Sequence, residues 1–583
     1  APRDDRQLEL LDGLPLILPA GFTDLGMKQL RHIHEAYAAV RLACDHVPFY
    51  AAKVVAHDEA EVTPVTHGHF YAAWLVTDST LKPIEAFVDP HVIFGGGQDL
   101  ITPRRFIATE RLDRSAQLWE NRLPCALAPI EARLAPGESI EWIALIGFAP
   151  SEDALARFLP QFTQAADFDA ARAASRDLVT SVVEPTATFS SLPLLDAYTR
   201  QNWLDNVLRG GVPRVLPARN GPALLHLYAR RHGDLERDYN YFILPPHPLS
   251  SGAGNYRDIC QNRRCDVWFF PEIGDLEIRT FVNLLQPDGY NPLAIEGYRW
   301  ELPPDGDPAN LECPTTDVAA EAELKSLVQH PFQPGQLLAW ADRHAVVMPD
   351  RQAWLERILA QCDCRLVAHG HEGGYWIDHW TYIVDLLEAF ADIYPDRVPS
   401  MLTETADIGW FEDGAFVRPR ADKFVRRRNG PLQLGAVADG PVPQPPLAPV
   451  TVFGKLCALL AIKAISLGPN GRGLEMEAGR PGWNDSLNGL PGLFGSSTCE
   501  LAELARLASW LRAALPDPPD TALPIEVSDL IAAVVPDLSA DFDWSHAAKL
   551  REQFRARIAH RTTADAGMVS GAQLKLLLAG VTG

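Results

Sequence analysis

The feature that most constrains this chain is a switch in hydrophobic period near residue 151. Before it, segments 67–76, 87–94 and 139–148 are short and rich in β-branched and aromatic residues. They are separated by turns such as Ala135-Pro136-Gly137-Glu138. After it, helical periodicity runs through 152–162, 167–182 and 192–208, and returns at 352–361, 380–393, 452–466, 498–515 and 544–558. A strand pattern needs a second layer to cover its apolar face, and a helical pattern buries a stripe against other helices. With 583 residues the chain also exceeds what one core accommodates. The expected fold is a multidomain α+β chain. Residues 1–165 form an antiparallel β-sandwich, 166–190 a helical linker, and 191–583 an (α/α)6 helical barrel. In such a barrel long polar-aromatic loops at one end build the site.

Charge narrows the function classes. The chain has 52 Lys and Arg against 75 Asp and Glu, a net charge of −23. Such a surface repels phosphate backbones and anionic lipids, so nucleic-acid and membrane partners are not expected. A neutral sugar meets no such repulsion. The nine cysteines are odd in number and scattered, which fits reduced thiols in the cytoplasm better than a disulfide framework. Cys362 and Cys364 have no second close pair to complete a zinc knuckle. No run approaches the ~20 apolar residues of a membrane span, and nothing resembles a signal peptide. Because residue 1 is Ala, the chain is expected to be trimmed or cut from something longer. A homodimer is compatible with all of this.

Four polar-aromatic segments carry candidate chemistry. The first, 254–264, reads as a loop holding Tyr256, Arg257, Asp258 and Gln261, side chains suited to gripping hydroxyls in fixed geometry. A buried structural Arg–Asp pair is the alternative. The second, 373–380, sets Asp378 among Tyr375, Trp376 and Trp380. An apolar wall raises a carboxyl pKa, as a general acid requires; a helix-capping aspartate is the alternative. The nearby His369, His371, Glu372 and His379 have no standard metal-ligand spacing, so no metal is expected. The third contains Glu477, Trp483, Asn484 and Asp485, with Trp483 offering a stacking face. The fourth ends at Glu500, which could also sit in a first helical turn for dipole reasons alone. Gly95-Gly96-Gly97 lacks the lysine and helix of a phosphate loop and reads as a strand-end turn.

These segments, in this order, resemble the cellobiose phosphorylase family, the inverting phosphorylases of glycoside hydrolase family 94. The family's Y-R-D-x-x-Q-D element is resembled by Tyr256-Arg257-Asp258 with Gln261. Its L-G-x-x-G and W-N-D-x-x-N elements are resembled by Leu467-Gly468-Pro469-Asn470-Gly471 and by Trp483-Asn484-Asp485-Ser486-Leu487-Asn488. Its G-x-G-E element is similar to a degenerate Gly495 to Glu500. The sandwich segment D-P-C-A-A-L is similar to Leu123-Pro124-Cys125-Ala126-Leu127, and P-G-E to Pro136-Gly137-Glu138.

The resemblance implies an inverting phosphorolysis of a β-linked disaccharide or short oligosaccharide. Asp378 occupies the general-acid position, and inorganic phosphate is the co-substrate and nucleophile, with no cofactor. Asn262 stands where the family has an acid, and Asp378 is single where the family has two. The family's late phosphate-binding residues have no counterpart, so the barrel is expected to be truncated at its C-terminal end. An inverting hydrolase, with Glu372, Glu477 or Asp485 as base, is the second reading; it would hold its two carboxyls roughly 6.5–9.5 Å apart. A non-catalytic carbohydrate-binding fragment is the third.

Overall fold

The computed structural model describes residues 6–44, 46–56, 60–97, 99–108, 112–227, 247–292, 294–369, 375–376, 380–434, 437–475, 496–538 and 542–582. Helix (45%) outweighs strand (23%), and the strands form several small antiparallel sheets, so the chain is mixed α and β. It divides into two compact units. One is Ala1–Ala187 with Pro246–Pro248 and Leu338–Pro349, and the other is Thr188–Pro245, Leu249–Leu337 and Asp350–Gly583.

The strands of the first unit are β1 (Arg6–Leu14), β2 (Ala38–Ala43), β3 (Val47–Ala52), β4 (Gly68–Thr77), β5 (Thr80–Ile84), β6 (Ala126–Leu134) and β7 (Glu141–Ala149). The expected strands at 67–76 and 139–148 are β4 and β7, paired antiparallel from Gly68↔Ala149 to Val76↔Glu141. With β2, β3 and β5 they make a five-stranded sheet, while β1 and β6 pair separately. Side chains of a strand alternate between faces. Tyr50, Tyr71 and Ala73 therefore pack with Ala126 and Ala128 of β6 on one face. Phe49, Phe70, Ala72 and Trp74 pack on the other with Leu155 and Phe168. Those two residues belong to the helices Glu152–Phe158 and Ala165–Val183. The second helix covers most of the segment expected as a linker and is part of this unit. Phe168 fixes it there by stacking on Phe162, with ring centroids 4.5 Å apart.

Two local expectations need correction. Segment 87–94 is not one strand. Asp89 accepts the His91 N–H and caps the helix Pro90–Phe94, whose proline stands in the first turn, where its missing N–H costs nothing. Gly95, at φ 65°, closes that short helix, so the triple glycine follows a helix and not a strand. The helix Asp24–Tyr37, capped by Thr23, was also not expected among the strands.

In the second unit the expected helices occur at Pro193–Gly210, Arg351–Leu359, Thr381–Ile393, Val452–Ala464, Thr498–Ala514 and Trp544–Ala559. The helices Leu276–Asn283, Val318–Val328, Ile525–Leu538 and Gly571–Thr582 add to them. Every residue of Val452–Ala464 is buried, including Lys455 and Lys463, on a helix that is otherwise apolar on every side. It lies in one continuous core with Leu387, Phe390, Leu507, Ile531 and Leu577 of other helices. Cys364 sits in the strand Asp363–His369, opposite Trp300, and all nine cysteines are free. No helix among the described residues is long and apolar enough to cross a membrane.

Candidate functional site

The segment 254–264, read as a loop, is instead a short strand, Gly254–Asn255, leading into the helix Tyr256–Arg263. The Asn255 side chain accepts the Asp258 N–H at 2.8 Å and its amide donates to Asp258 Oδ2 at 2.6 Å. This capping arrangement turns the Asn-Tyr-Arg-Asp run into a helix start. It orients Asp258, whose Oδ1 also accepts Arg257 Nε at 3.1 Å. Both side chains are only partly buried, at 18% and 22% exposure, and keep access to a ligand. Gln261 is exposed on the same helix. Tyr256 belongs to the core instead: it is fully buried, packs edge-on against Phe281 and donates its hydroxyl to the Phe281 carbonyl at 3.2 Å.

Trp380 and Glu500, 120 residues apart in sequence, meet in the interior. Trp380 occupies the cap position of the helix Thr381–Ile393. Glu500 lies in the first turn of Thr498–Ala514, where Ser497 Oγ accepts its N–H at 3.2 Å. The Trp380 indole donates to Glu500 Oε2 at 3.4 Å. Lys463, at the end of the buried helix Val452–Ala464, brings its ammonium to 3.8 Å from that oxygen and 5.5 Å from the Trp380 ring centroid. Glu500 thus does more than complement a helix dipole, because it neutralises a lysine that is 2% exposed.

Further ionisable groups that sequence reasoning passed over gather on the same unit. Burial raises the Asp288 pKa, while Arg555 and Lys463 oppose the rise. Gly289 follows at φ 82°, and a Cβ there would come 2.6 Å from Ile462, so the turn carrying Asp288 lies against the end of the lysine-bearing helix. Arg555 donates to the Tyr290 hydroxyl at 3.1 Å. Arg551, with no exposed surface, pairs with Glu475 at 2.9 Å. Glu475 also takes Arg420 at 2.8 Å and the Trp544 indole at 2.9 Å. One signal for Lys463 was legible, a lysine inside a helix whose only other charged residue is Lys455. Arg551 and Arg555, one helical turn apart, were another.

Asp378, Glu372, His371, His379, Glu477, Trp483, Asn484 and Asp485 lie outside the described residues. So does any test of their convergence on Arg257 and Asp258. His369 pairs with Glu296 at 3.1 Å, half exposed.

A second polar cluster was not anticipated. His226, Asp266 and Glu277 hold ligand-type atoms within 4.8 Å of one another, a set that could receive a metal ion. Burial, and then the charge of Arg263, lowers the His226 pKa to about 4. Burial, and then Asp266, raises that of Glu277. No protein-family model matches the chain, and no curated protein matches it.

Proposed function

We propose that the chain is an inverting glycoside phosphorylase that cleaves a β-linked disaccharide or short oligosaccharide with inorganic phosphate. In this reading an antiparallel β-sandwich precedes an (α/α)6 barrel, and the enzyme works among reduced thiols in the cytoplasm. The observation that carries it is the meeting of Trp380 and Glu500. They come from two of the four polar-aromatic segments, and their contact gathers a carboxylate, an indole and the Lys463 ammonium in the interior. The partly exposed Arg257–Asp258 pair, held by the Asn255 cap, is the second support.

Asp378, two residues before Trp380, is the general acid and protonates the bridging oxygen as the glycosidic bond breaks. Phosphate attacks the anomeric carbon from the opposite face, so no protein base is needed. Arg257, Asp258, Gln261, Trp483, Asn484 and Asp485 hold the sugar hydroxyls and ring, while the sugar-binding candidates Trp380 and Glu500, at 0% and 3% exposure, act through packing and charge. Tyr256 acts through packing, since its hydroxyl is committed to the Phe281 carbonyl.

The test is to incubate the protein with β-linked disaccharides and short oligosaccharides, with and without phosphate. A sugar 1-phosphate formed only with phosphate is the expected result. Free sugar formed at equal rate in both would identify an inverting hydrolase with Glu372, Glu477 or Asp485 as base. Saturable sugar binding without turnover would make the chain a carbohydrate-binding module.

A further inference from the structure

The second unit contains a half-open cavity of about 60 Å³ whose lining includes His226, Arg263, Glu277, Thr280 and Tyr298. Its polar side chains come from separate elements. His226 is on the strand Ala223–Leu227 and Arg263 ends the helix Tyr256–Arg263. Asp266, beside the cavity, opens the helix Asp266–Phe269, and Glu277 lies in the first turn of Leu276–Asn283. His226 Nε2 is 3.1 Å from Glu277 Oε1 and 3.3 Å from Asp266 Oδ2. Ligand atoms about 2.0–2.2 Å from a divalent ion stand roughly 3–3.5 Å from one another, so both spacings from His226 suit donors around one ion, and all three ligand atoms lie within 4.8 Å of one another.

An independent observation comes from Arg263. Its side chain is 4% exposed, and among the described residues neither Nε nor one terminal nitrogen has a hydrogen-bond partner. Buried guanidinium N–H groups call for an oxygen acceptor. A divalent ion with Asp266, Glu277 and Arg263 leaves one positive charge, which a single anionic oxygen neutralises. The cavity has room for it, because one water needs only about 10–15 Å³.

We propose that His226, Asp266 and Glu277 form a divalent-metal site whose open position takes an anionic oxygen, hydroxide or a ligand carboxylate, held by Arg263. One imidazole and two carboxylates suit Mn²⁺ or Zn²⁺. Arg263 ends the helix that also carries Arg257, Asp258 and Gln261, but the metal proposal does not depend on the proposed phosphorylase activity.

The experiment strips the full-length protein with chelator, then titrates it with Mn²⁺ and Zn²⁺. Mn²⁺ prefers oxygen and imidazole donors, which keeps the nine free cysteines out of the result. One bound equivalent is expected, and electron spin-echo spectra of the Mn²⁺ complex of the unmutated chain should report a single imidazole nitrogen. Even an outer partner of a metal ligand contributes about 10–100-fold in affinity, so His226→Gln, Asp266→Asn and Glu277→Gln should each weaken binding at least about 100-fold. No stoichiometric binding by the unmutated chain, no imidazole coupling, or affinity unchanged in any folded variant would each overturn the proposal. The cluster would then be a hydrogen-bonded carboxylate pair beside a neutral histidine.

Discussion

Asp378→Asn should reduce phosphorolysis of a natural disaccharide by ~10²–10⁴-fold, the usual contribution of general-acid catalysis. Asparagine keeps the shape and hydrogen-bonding reach of the aspartate but has no proton to give the leaving oxygen. Ground-state contacts to the sugar survive, so KM should change much less than kcat. The acid works near pH 7 only if its pKa lies above the roughly 3.9 of a free aspartate, and aromatic neighbours disfavour the ionised form. The sign follows: activity requires the protonated acid and falls as pH rises through that raised pKa. Aryl glycosides need little protonation and should lose less. Comparing kcat for a natural disaccharide and an aryl glycoside in both proteins checks the assignment. A variant that cleaves the disaccharide at near wild-type rate would remove Asp378 from the role of acid and promote Glu372 or Asp485.

The second large effect is on stability. Arg551→Met should destabilise the second unit by ~3–5 kcal/mol, the scale of breaking a buried ion pair from one side. Arg551 has no exposed surface, and its guanidinium meets Glu475 at 2.9 Å. Methionine fills part of the space but leaves Glu475, at 13% exposure, to the Trp544 indole and to Arg420. Arg420 binds the same carboxylate from a position 48% exposed, where water already solvates its guanidinium. Arg420→Ala should therefore cost only ~0–1 kcal/mol. Denaturant unfolding followed by tryptophan fluorescence separates the two. Equal losses would mean that burial adds nothing to the Arg551 pair.

Much of the secondary structure was legible because periodicity is a local property. The helices Pro193–Gly210, Val452–Ala464 and Trp544–Ala559 lie within two residues of their expected bounds. Capping chemistry was legible too but went unread: Asn255 with Asp258, and Asp89 with Pro90, mark helix starts where a loop and a strand were expected. Of the site residues, Arg257 and Asp258 were named for their chemistry, and the tertiary structure keeps them within reach of solvent. Tyr256 was named with them, yet its direction into the core depends on the position of Phe281.

The sequence by itself determined many of the helices and the paired strands β4 and β7, and that the chain carries an acidic net charge and nine thiols, since these follow from neighbouring residues or composition. Only the tertiary structure decided which charges meet. Glu500 and Lys463 lie on different helices, as do Asp266 and Glu277, and His226 lies on a strand. Coulomb energy depends on distance through space and on burial, neither of which spacing along the chain encodes. A glutamate in a first helical turn looks the same in sequence whether it faces water or a buried lysine; packing alone made Glu500 the second kind.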